Sequence, residues 1–218
     1  MTWLLRFYQS NIGLKVVMAL TGAGLFGFVF FHMLGNLQVF WGERILDEYA
    51  AFLHDHPTVL WLARGGLLTM VLAHIHAAFT LTNRSRLARP KGYKNFQRSN
   101  RAELGMRLSS IIVLGFIIFH LLHFTTGTFH HDYTHGEVYH NVVSAFKLAP
   151  IAIFYMLANA LLGLHLYHGL WSMFRTLGVS TPRYDGLARN FARVSALTIV
   201  AGNVLMPLAG LIGLLPAA

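Results

Sequence analysis

The sequence lacks cysteine and is poor in charged residues. None of its 218 residues is a cysteine, which excludes disulfides, thiolate-held iron–sulfur clusters and covalent heme attachment through a CxxCH motif. Only 11% of the residues are charged, whereas a soluble domain carries about 25%. With 55% hydrophobic residues and a mean hydropathy of +0.52, this composition predicts an integral membrane protein.

Five apolar segments are long enough to cross a bilayer, which takes about 20 helical residues. They run approximately over 14–41, 58–82, 106–129, 143–174 and 193–215. The first is flanked by Lys15 and lacks a clear small-residue cleavage site, so we interpret it as a span rather than a signal peptide. We find no low-complexity linker or internal repeat. The sequence therefore predicts one all-α integral membrane domain over 1–218, with five transmembrane helices.

Basic residues are concentrated on one side of the predicted spans. Those in the links between spans two and three and between spans four and five are Arg84, Arg86, Arg89, Lys91, Lys94, Arg98, Arg101, Arg107, Arg175, Arg183, Arg189 and Arg193. The positive-inside rule then places the N-terminus in the cytoplasm and the C-terminus outside, in a multi-pass inner (cytoplasmic) membrane protein. Because topology explains the net charge of +9, we predict no nucleic-acid partner. The basic face is suited to anionic lipid or an acidic partner.

Four of the thirteen histidines lie one in each of the first four spans: His32, His74, His120 and His165. Imidazole is costly in hydrocarbon, so this repeated placement indicates ligands or relays. A helical rise of about 1.5 Å per residue puts His74 and His165 roughly 12–15 Å from the inner end of their spans, and His120 and His32 roughly 19–25 Å. We therefore predict an inner pair, His74 with His165, and an outer pair, His32 with His120. Each pair could supply one bis-histidine iron site.

Other histidines compete for these roles. His76 lies two positions from His74 and so points to nearly the opposite helix face. His123 and His168 each lie three positions from a favoured ligand and share roughly its face, so either could replace it, line a quinone pocket or bind acidic groups of a cofactor. The histidines expected in solvated outer loops are His54, His56, His130, His131, His135 and His140.

Glycines near the four histidines allow two interpretations. They are Gly22, Gly24, Gly27, Gly35, Gly65, Gly66, Gly115, Gly163 and Gly169. They could leave room for a flat cofactor, or they could let membrane helices pack closely.

Four motifs together resemble one protein family. GFVFFHMLGNLQVFWG, HIHAAFTLTNRSRLARPKGY, GFIIFHLLHFTTG and LGLHLYHGLWSMFRTLG resemble the single-chain, five-helix cytochrome b subunit of succinate dehydrogenase and fumarate reductase. The resemblance implies two hemes b in a bundle of the first four helices. It assigns His32 and His120 to the outer heme iron, and His74 and His165 to the inner one.

The resemblance also implies a function for the chain. It would be the quinone-reactive subunit of a complex that passes electrons between membrane menaquinone or ubiquinone and two partners, an iron–sulfur subunit and an FAD-containing flavoprotein. Dicarboxylate chemistry would belong to the flavoprotein. The quinone would lie near the outer heme, where the candidates are Glu43, Glu48, Tyr49, His54 and His123.

Three rival hypotheses remain open. The chain could be the diheme cytochrome b of a nitrate reductase, a formate dehydrogenase or a related quinol oxidoreductase. It could be a heme-free transporter whose histidines carry ions. It could also be a structural anchor that has lost its heme sites.

Overall fold

The computed structural model describes residues 2–88, 98–179 and 181–215, with no side chains described for 98–103. Its helices are α1 Trp3–Gln9, α2 Asn11–Asn36, α3 Glu43–His54, α4 Pro57–Leu87, α5 Arg98–His120, α6 Val138–Lys147, α7 Ala149–Thr176 and α8 Asp185–Leu211. A 3₁₀ turn, Leu37–Trp41, continues α2, and a π-helical turn, Leu121–Thr125, continues α5. Five segments are long and apolar enough to span a membrane: Asn11–Trp41, Pro57–Leu87, Leu104–Thr125, Ala149–Thr176 and Asp185–Leu211. The prediction of an all-α membrane protein with five such helices is confirmed.

The first four spans pack as an open ring. Helix α2 packs on both α4 and α7, and α5 packs on α7. Among the described residues, α4 and α5 make at most marginal contact, and the same holds for α2 with α5 and for α4 with α7. The order around the ring is therefore α4, α2, α7, α5, with its open side between α4 and α5. Helix α8 lies outside the ring, packed mainly on α7 and also on α2.

Part of the charge pattern behind the predicted orientation lies outside the described residues. Arg89, Lys91 and Lys94 belong to 89–97, and the side chains of Arg98 and Arg101 are likewise not described. The orientation stays a prediction, and "inner" and "outer" below refer to it.

The fourth span is shorter than the predicted segment 143–174. The chain forms a separate helix, α6, and is extended at Leu148 (ψ 109°) before α7 starts at Ala149. Pro150 explains the break, because its ring and missing N–H are tolerated only in the first turn of a helix. Because α6 and α7 are both apolar, hydropathy alone predicted them as one continuous segment.

The outer end of the molecule is closed by α3 and α6. The carboxylate of Asp47 in α3 accepts a hydrogen bond from the backbone N–H of Tyr139 at 2.8 Å. It thus caps the first turn of α6 from a neighbouring helix, where a negative charge also suits the helix dipole. Beneath it, Leu46, Val143 and Tyr155 belong to one buried core cluster, which ties α3, α6 and α7 together.

His130 is not the solvated loop histidine that the sequence suggested. It is 8% exposed. Its Nε2–H donates to the carbonyl oxygen of Asn141 at 2.8 Å, and its Nδ1 accepts from the backbone N–H of Asp132 at 3.1 Å. This arrangement requires the neutral ring, because a proton on Nδ1 would face the Asp132 N–H. The expectation failed because the tertiary fold, not the local polarity, buries this ring.

Burial sets the pH dependence of the outer loop. Desolvation lowers the pKa of His130 below 6.5, more than the Asn141 carbonyl raises it, and His131 lowers it further. The unfolded loop binds a proton more readily than the folded loop, so the His130 contribution to stability is present above about pH 6.5 and is lost as pH falls towards the lowered pKa. We expect amide hydrogen exchange in 126–137 to speed up between pH 7.5 and 5.5, after correction for intrinsic rates. His130→Gln should remove this dependence, whereas His135→Gln should retain it. Equal pH dependence in both variants would contradict the assignment.

A polar clamp joins α7 and α8 at their inner ends. Trp171 Nε1–H donates to Asp185 Oδ1 at 3.0 Å, and Arg189 Nε donates to Asp185 Oδ2 at 2.8 Å. The Arg189 guanidinium also lies 4.3 Å from the centre of the Trp171 ring. One carboxylate therefore orders both an indole and a guanidinium at the start of α8.

Removing the Asp185 carboxylate should weaken the packing of α8 on α7. We expect Asp185→Ala to reduce stability by about 1 kcal/mol, a charged hydrogen-bond value discounted for partial exposure, and to lower the thermal midpoint of the detergent-solubilised protein. Arg44→Ala is the matched control, because the Arg44–Glu48 pair is 3.7 Å long with side chains 79% and 63% exposed. An equal loss of stability in both variants would contradict a stabilising role for the Asp185 carboxylate.

Candidate functional site

The four membrane histidines meet as two pairs. The ring centres of His32 and His120 are 5.8 Å apart, with an interplanar angle of 86°. Those of His74 and His165 are 6.4 Å apart, at 68°. These are the two pairs that the depth argument predicts.

Each pair crosses the ring of helices diagonally. His32 on α2 faces His120 on α5, and His74 on α4 faces His165 on α7. In the described part of the chain, neither of these helix pairs packs closely. The imidazoles therefore bridge gaps between helices rather than filling a helix interface.

Hydrogen bonds determine which nitrogen of His74 is available. Its Nδ1 lies 3.1 Å from the carbonyl oxygen of Met18 and 3.1 Å from Thr21 Oγ1. The carbonyl only accepts, and the Thr21 hydroxyl itself donates to the Val17 carbonyl at 2.7 Å. Nδ1 must then carry the proton, which leaves the Nε2 lone pair free to bind a metal.

His165 and His120 follow the same pattern at longer range. His165 Nδ1 lies 3.5 Å from Ser110 Oγ, whose hydroxyl donates to the Met106 carbonyl at 2.6 Å. His120 Nδ1 lies 3.5 Å from the hydroxyl of Tyr155. In both cases an oxygen faces Nδ1 and favours Nε2 as the ligand atom.

His32 is the exception. Its Nε2 accepts a hydrogen bond from the Asn36 side-chain amide at 3.1 Å, and its ring stacks on Phe28 with ring centres 5.2 Å apart. To bind a metal, His32 would use Nδ1. Alternatively, its Nε2 would give up the hydrogen bond from Asn36 and bind the metal instead.

The glycines divide between the two interpretations left open by the sequence. A Cβ on Gly24, Gly35 or Gly163 would meet Met70, Tyr49 or Val200, so these three serve close packing. A Cβ on Gly22 would lie 3.2 Å from His74 Cε1, which means that Gly22 makes room for the histidine itself. Positions where a Cβ would meet no atom within 4 Å are Gly27, Gly65, Gly66, Gly115 and Gly169. These leave open space beside their helices.

The geometry fits a metal held between two imidazoles. With a metal–nitrogen bond of about 2.0–2.1 Å and roughly 1.1 Å from nitrogen to ring centre, two imidazoles on opposite sides of one metal have centres about 6.3 Å apart. The observed 6.4 Å matches this separation, and 5.8 Å lies within a small side-chain adjustment of it. No group of three or more His, Asp or Glu side chains in the described residues could hold a bare metal ion. The donor set fits a cofactor metal that needs only two protein ligands.

Tyr155 is a site residue that the sequence argument missed. It is 4% exposed on α7, and its hydroxyl lies 3.0 Å from His123 Nδ1 and 3.5 Å from His120 Nδ1. The hydroxyl can donate to His123 while its oxygen accepts from His120. Its location in an apolar span is a detectable signal, because a buried tyrosine hydroxyl needs a partner.

The competing histidines have different surroundings. His76 Nδ1 lies 2.8 Å from the hydroxyl of Tyr8 in α1, which keeps it away from the inner pair. His168 has a ring contact with its neighbour Tyr167. His123 is 1% exposed and lies in the π-helical turn, stacked on His130 with ring centres 4.8 Å apart.

The five quinone candidates do not form one cluster. Glu43 and His54 lie at opposite ends of α3, about 16 Å apart by helical rise, and Glu48 faces the exposed Arg44. Tyr49 packs against α2, because its hydroxyl would be 2.9 Å from a Cβ on Gly35, three residues after His32. His123 is buried beside Tyr155. Tyr49 and His123 are thus the two candidates with a contact to a residue beside an outer histidine.

A cavity of about 490 Å³ opens at the inner end of the ring. Its walls come from α2, α4 and α5, so it lies on the side where α4 and α5 do not pack. This volume is in the range of cofactor and small-molecule sites.

Comparison of the chain with protein-family models, with curated proteins and with solved structures finds no match.

Proposed function

We propose that the chain is the membrane-anchoring diheme cytochrome b subunit of a succinate dehydrogenase or fumarate reductase. It would transfer electrons between a membrane quinone and the iron–sulfur and FAD-containing subunits. The observation that carries this proposal is the meeting of four membrane histidines as two diagonal pairs, with ring centres 5.8 and 6.4 Å apart. Two b-type hemes, when bound, would supply the one-electron carriers between the two faces of the membrane.

The residues of this chain would hold and orient the cofactors. Met18 and Thr21 keep the proton of His74 on Nδ1, and Ser110 faces Nδ1 of His165. Because the tautomer is fixed before the cofactor binds, less conformational entropy is lost on binding. The hydrogen bond at Nδ1 also raises the basicity of the ring. The apolar residues of the spans would surround the bound hemes and so help to set their potentials.

The family assignment rests on the four motifs, and its closest rival shares the same site chemistry. Four histidines would equally serve the diheme cytochrome b of another quinol oxidoreductase. Co-purification of the chain from its native membrane separates the two, because our proposal expects a partner with bound FAD and a dicarboxylate-dependent quinone reaction. A partner with a molybdenum cofactor instead would support the rival.

Heme content tests the ligand pairs. We expect two hemes b per chain in a pyridine hemochrome assay with iron counted in parallel. His74→Ala and His165→Ala should each remove the same single heme, because a bis-histidine site fails when either imidazole is lost. The double variant should lose no more than either single variant.

Two neighbouring histidines provide matched controls for this experiment. His76→Ala and His168→Ala change the same helices and should retain both hemes. Heme loss in either control would overturn the ligand assignment. A wild-type chain without heme would overturn the proposed function and favour a transporter.

Tyr155 tests the outer pair independently. Tyr155→Phe removes the oxygen facing His120 Nδ1, so His120 becomes a weaker electron donor and the outer potential should rise. A net hydrogen-bond contribution of about 1 kcal/mol corresponds to a rise of at most about 40 mV for a one-electron couple. Redox titration monitored by optical and EPR spectra would measure it, with both hemes retained and the inner potential unchanged. Tyr167→Phe on the same helix is the control, and an equal shift there would contradict a specific role for Tyr155.

A further inference from the structure

Helix α4 is held in the bundle by few neighbours. It packs on α2 and α3, and its contacts with α5 and α7 are marginal among the described residues. All residues of α4 itself are described, and Ala77 alone is buried. A ligand side chain has to be held within about 10–20° of its productive direction. The rotation of α4 about its axis therefore decides whether His74 meets His165.

The N-terminal segment, residues 3–11, contacts the inner half of α4 at two heights. Arg84 donates through Nη1 to the Gln9 carbonyl oxygen at 2.9 Å and to Asn11 Oδ1 at 2.8 Å. The Tyr8 hydroxyl lies 2.8 Å from His76 Nδ1, and the planes of the two rings differ by 6°. These two positions of α4 are about 12 Å apart along the helix axis and about 80° apart around it. Two attachments at different heights resist both rotation and tilting of the helix.

The N-terminal segment is itself fixed to the start of α2. The Ser10 hydroxyl accepts from the Gly13 N–H at 2.9 Å and donates to the Phe7 carbonyl oxygen at 2.7 Å. It thus caps α2 and holds the end of α1 at the same time. A Cβ on Gly13 would overlap the Phe7 carbonyl oxygen, so the chain can turn back this closely only with glycine there. The segment therefore holds α4 against α2.

His76 lies nearly opposite His74 on α4, because two positions correspond to about 200° around a helix. Any rotation of α4 that breaks the His76 contact also moves His74. A rotation of 10° displaces an atom about 6 Å from the helix axis by about 1 Å. Ligand positions have to be held within roughly 0.5 Å. The contacts of His74 Nδ1 with the Met18 carbonyl and Thr21 depend on the same rotation.

We infer that the N-terminal segment is a positioning element for the inner histidine pair. Through its contacts with His76 and Arg84, it holds the rotation of α4 that keeps His74 opposite its partner. The inference rests on the proposed function and adds to it that the 68° angle between the two inner imidazole planes is controlled from outside the ring of helices. A segment that only anchored the chain in the membrane would affect both histidine pairs alike.

The experiment uses the full chain with its hemes bound. Tyr8→Phe removes only the hydroxyl that reaches His76. Because the chain has no cysteine, nitroxide labels on Leu5→Cys and Leu72→Cys, both exposed, report the distance between α1 and α4 by pulsed EPR with the hemes reduced. The inner heme is followed by the low-spin EPR signal that His74→Ala removes and by the rate of heme transfer to apomyoglobin.

We expect Tyr8→Phe to keep both hemes, to broaden the distribution of label distances and to shift the largest g value of the inner heme. That g value depends on the angle between the two axial imidazole planes, which changes when α4 rotates. Inner heme transfer should become faster by up to about tenfold, the factor that one neutral hydrogen bond supplies. The outer heme should keep its g value and its transfer rate.

Variants of His76 test the same contact from the other side. His76→Leu should reproduce the changes seen in Tyr8→Phe, and the double variant should show no more than either single variant, because all three lose the same contact. His76→Asn keeps a hydrogen-bonding group near the position of Nδ1 and should retain the wild-type readouts. If Tyr8→Phe does not accumulate in the membrane, His76→Leu against His76→Asn decides the matter alone.

Tyr184→Phe is the matched control. It removes the hydroxyl of another exposed tyrosine at the inner end of the molecule, directly before α8 and outside the ring of helices. We expect it to change neither the label distances nor the inner heme.

Different outcomes overturn different claims. If the label distances broaden while the inner heme signal stays unchanged, α1 is attached to α4 without positioning His74, and the inference is wrong. Equal changes in both hemes would show a general loosening of the bundle, with the same consequence. No change in any readout would also overturn the inference. All three results leave the two-heme proposal intact, whereas a wild-type chain without heme overturns that proposal and this inference together.

Discussion

The arrangement of the bundle depends on keeping imidazoles hydrogen-bonded inside a membrane. A polar ring in hydrocarbon is costly unless its donors and acceptors are paired. His74 meets this requirement through the Met18 carbonyl and Thr21 on the adjacent α2, so the contact between α2 and α4 also orients the ring. With Nδ1 engaged, Nε2 remains available, and the His165 ring on α7 lies 6.4 Å away, centre to centre. The same hydrogen bonds thus link the packing of α2 on α4 to the tautomer of His74.

The outer half of the molecule meets the same requirement differently. There the Tyr155 hydroxyl lies between His120 and His123. The rings of Phe116 and Phe119 contact the Tyr155 ring, and α3 and α6 close the outer end above it. The two histidine pairs therefore have chemically different neighbours, a hydroxyl-and-carbonyl environment inside and an aromatic one outside. In a two-heme cytochrome this difference would separate the two potentials.

Several features could be predicted from the chain alone, and others could not. The depth of each histidine followed from helical rise, and the pairing of His32 with His120 follows the same order in the structure. The break before Pro150 was missed because two apolar helices adjoin it. His130 was expected in solvent because its loop is polar. In the fold the ring is buried, and it donates a hydrogen bond to the carbonyl oxygen of Asn141 in α6. In both cases hydropathy reflects only the local composition of the chain. It carries no information about the residues that folding places nearby.

The sequence by itself determined the five membrane-length segments, the presence of a candidate ligand histidine in each of the first four, and the exclusion of thiolate or thioether attachment. These depend on residue type and spacing along one helix, which neighbours cannot change. Only the tertiary structure decided which helices leave a gap, which ring nitrogen remains available, that Tyr155 joins the outer pair, and that Tyr8 of α1 meets His76 of α4. The rotation of each helix about its axis sets these features, and that rotation depends on packing between residues far apart in the chain.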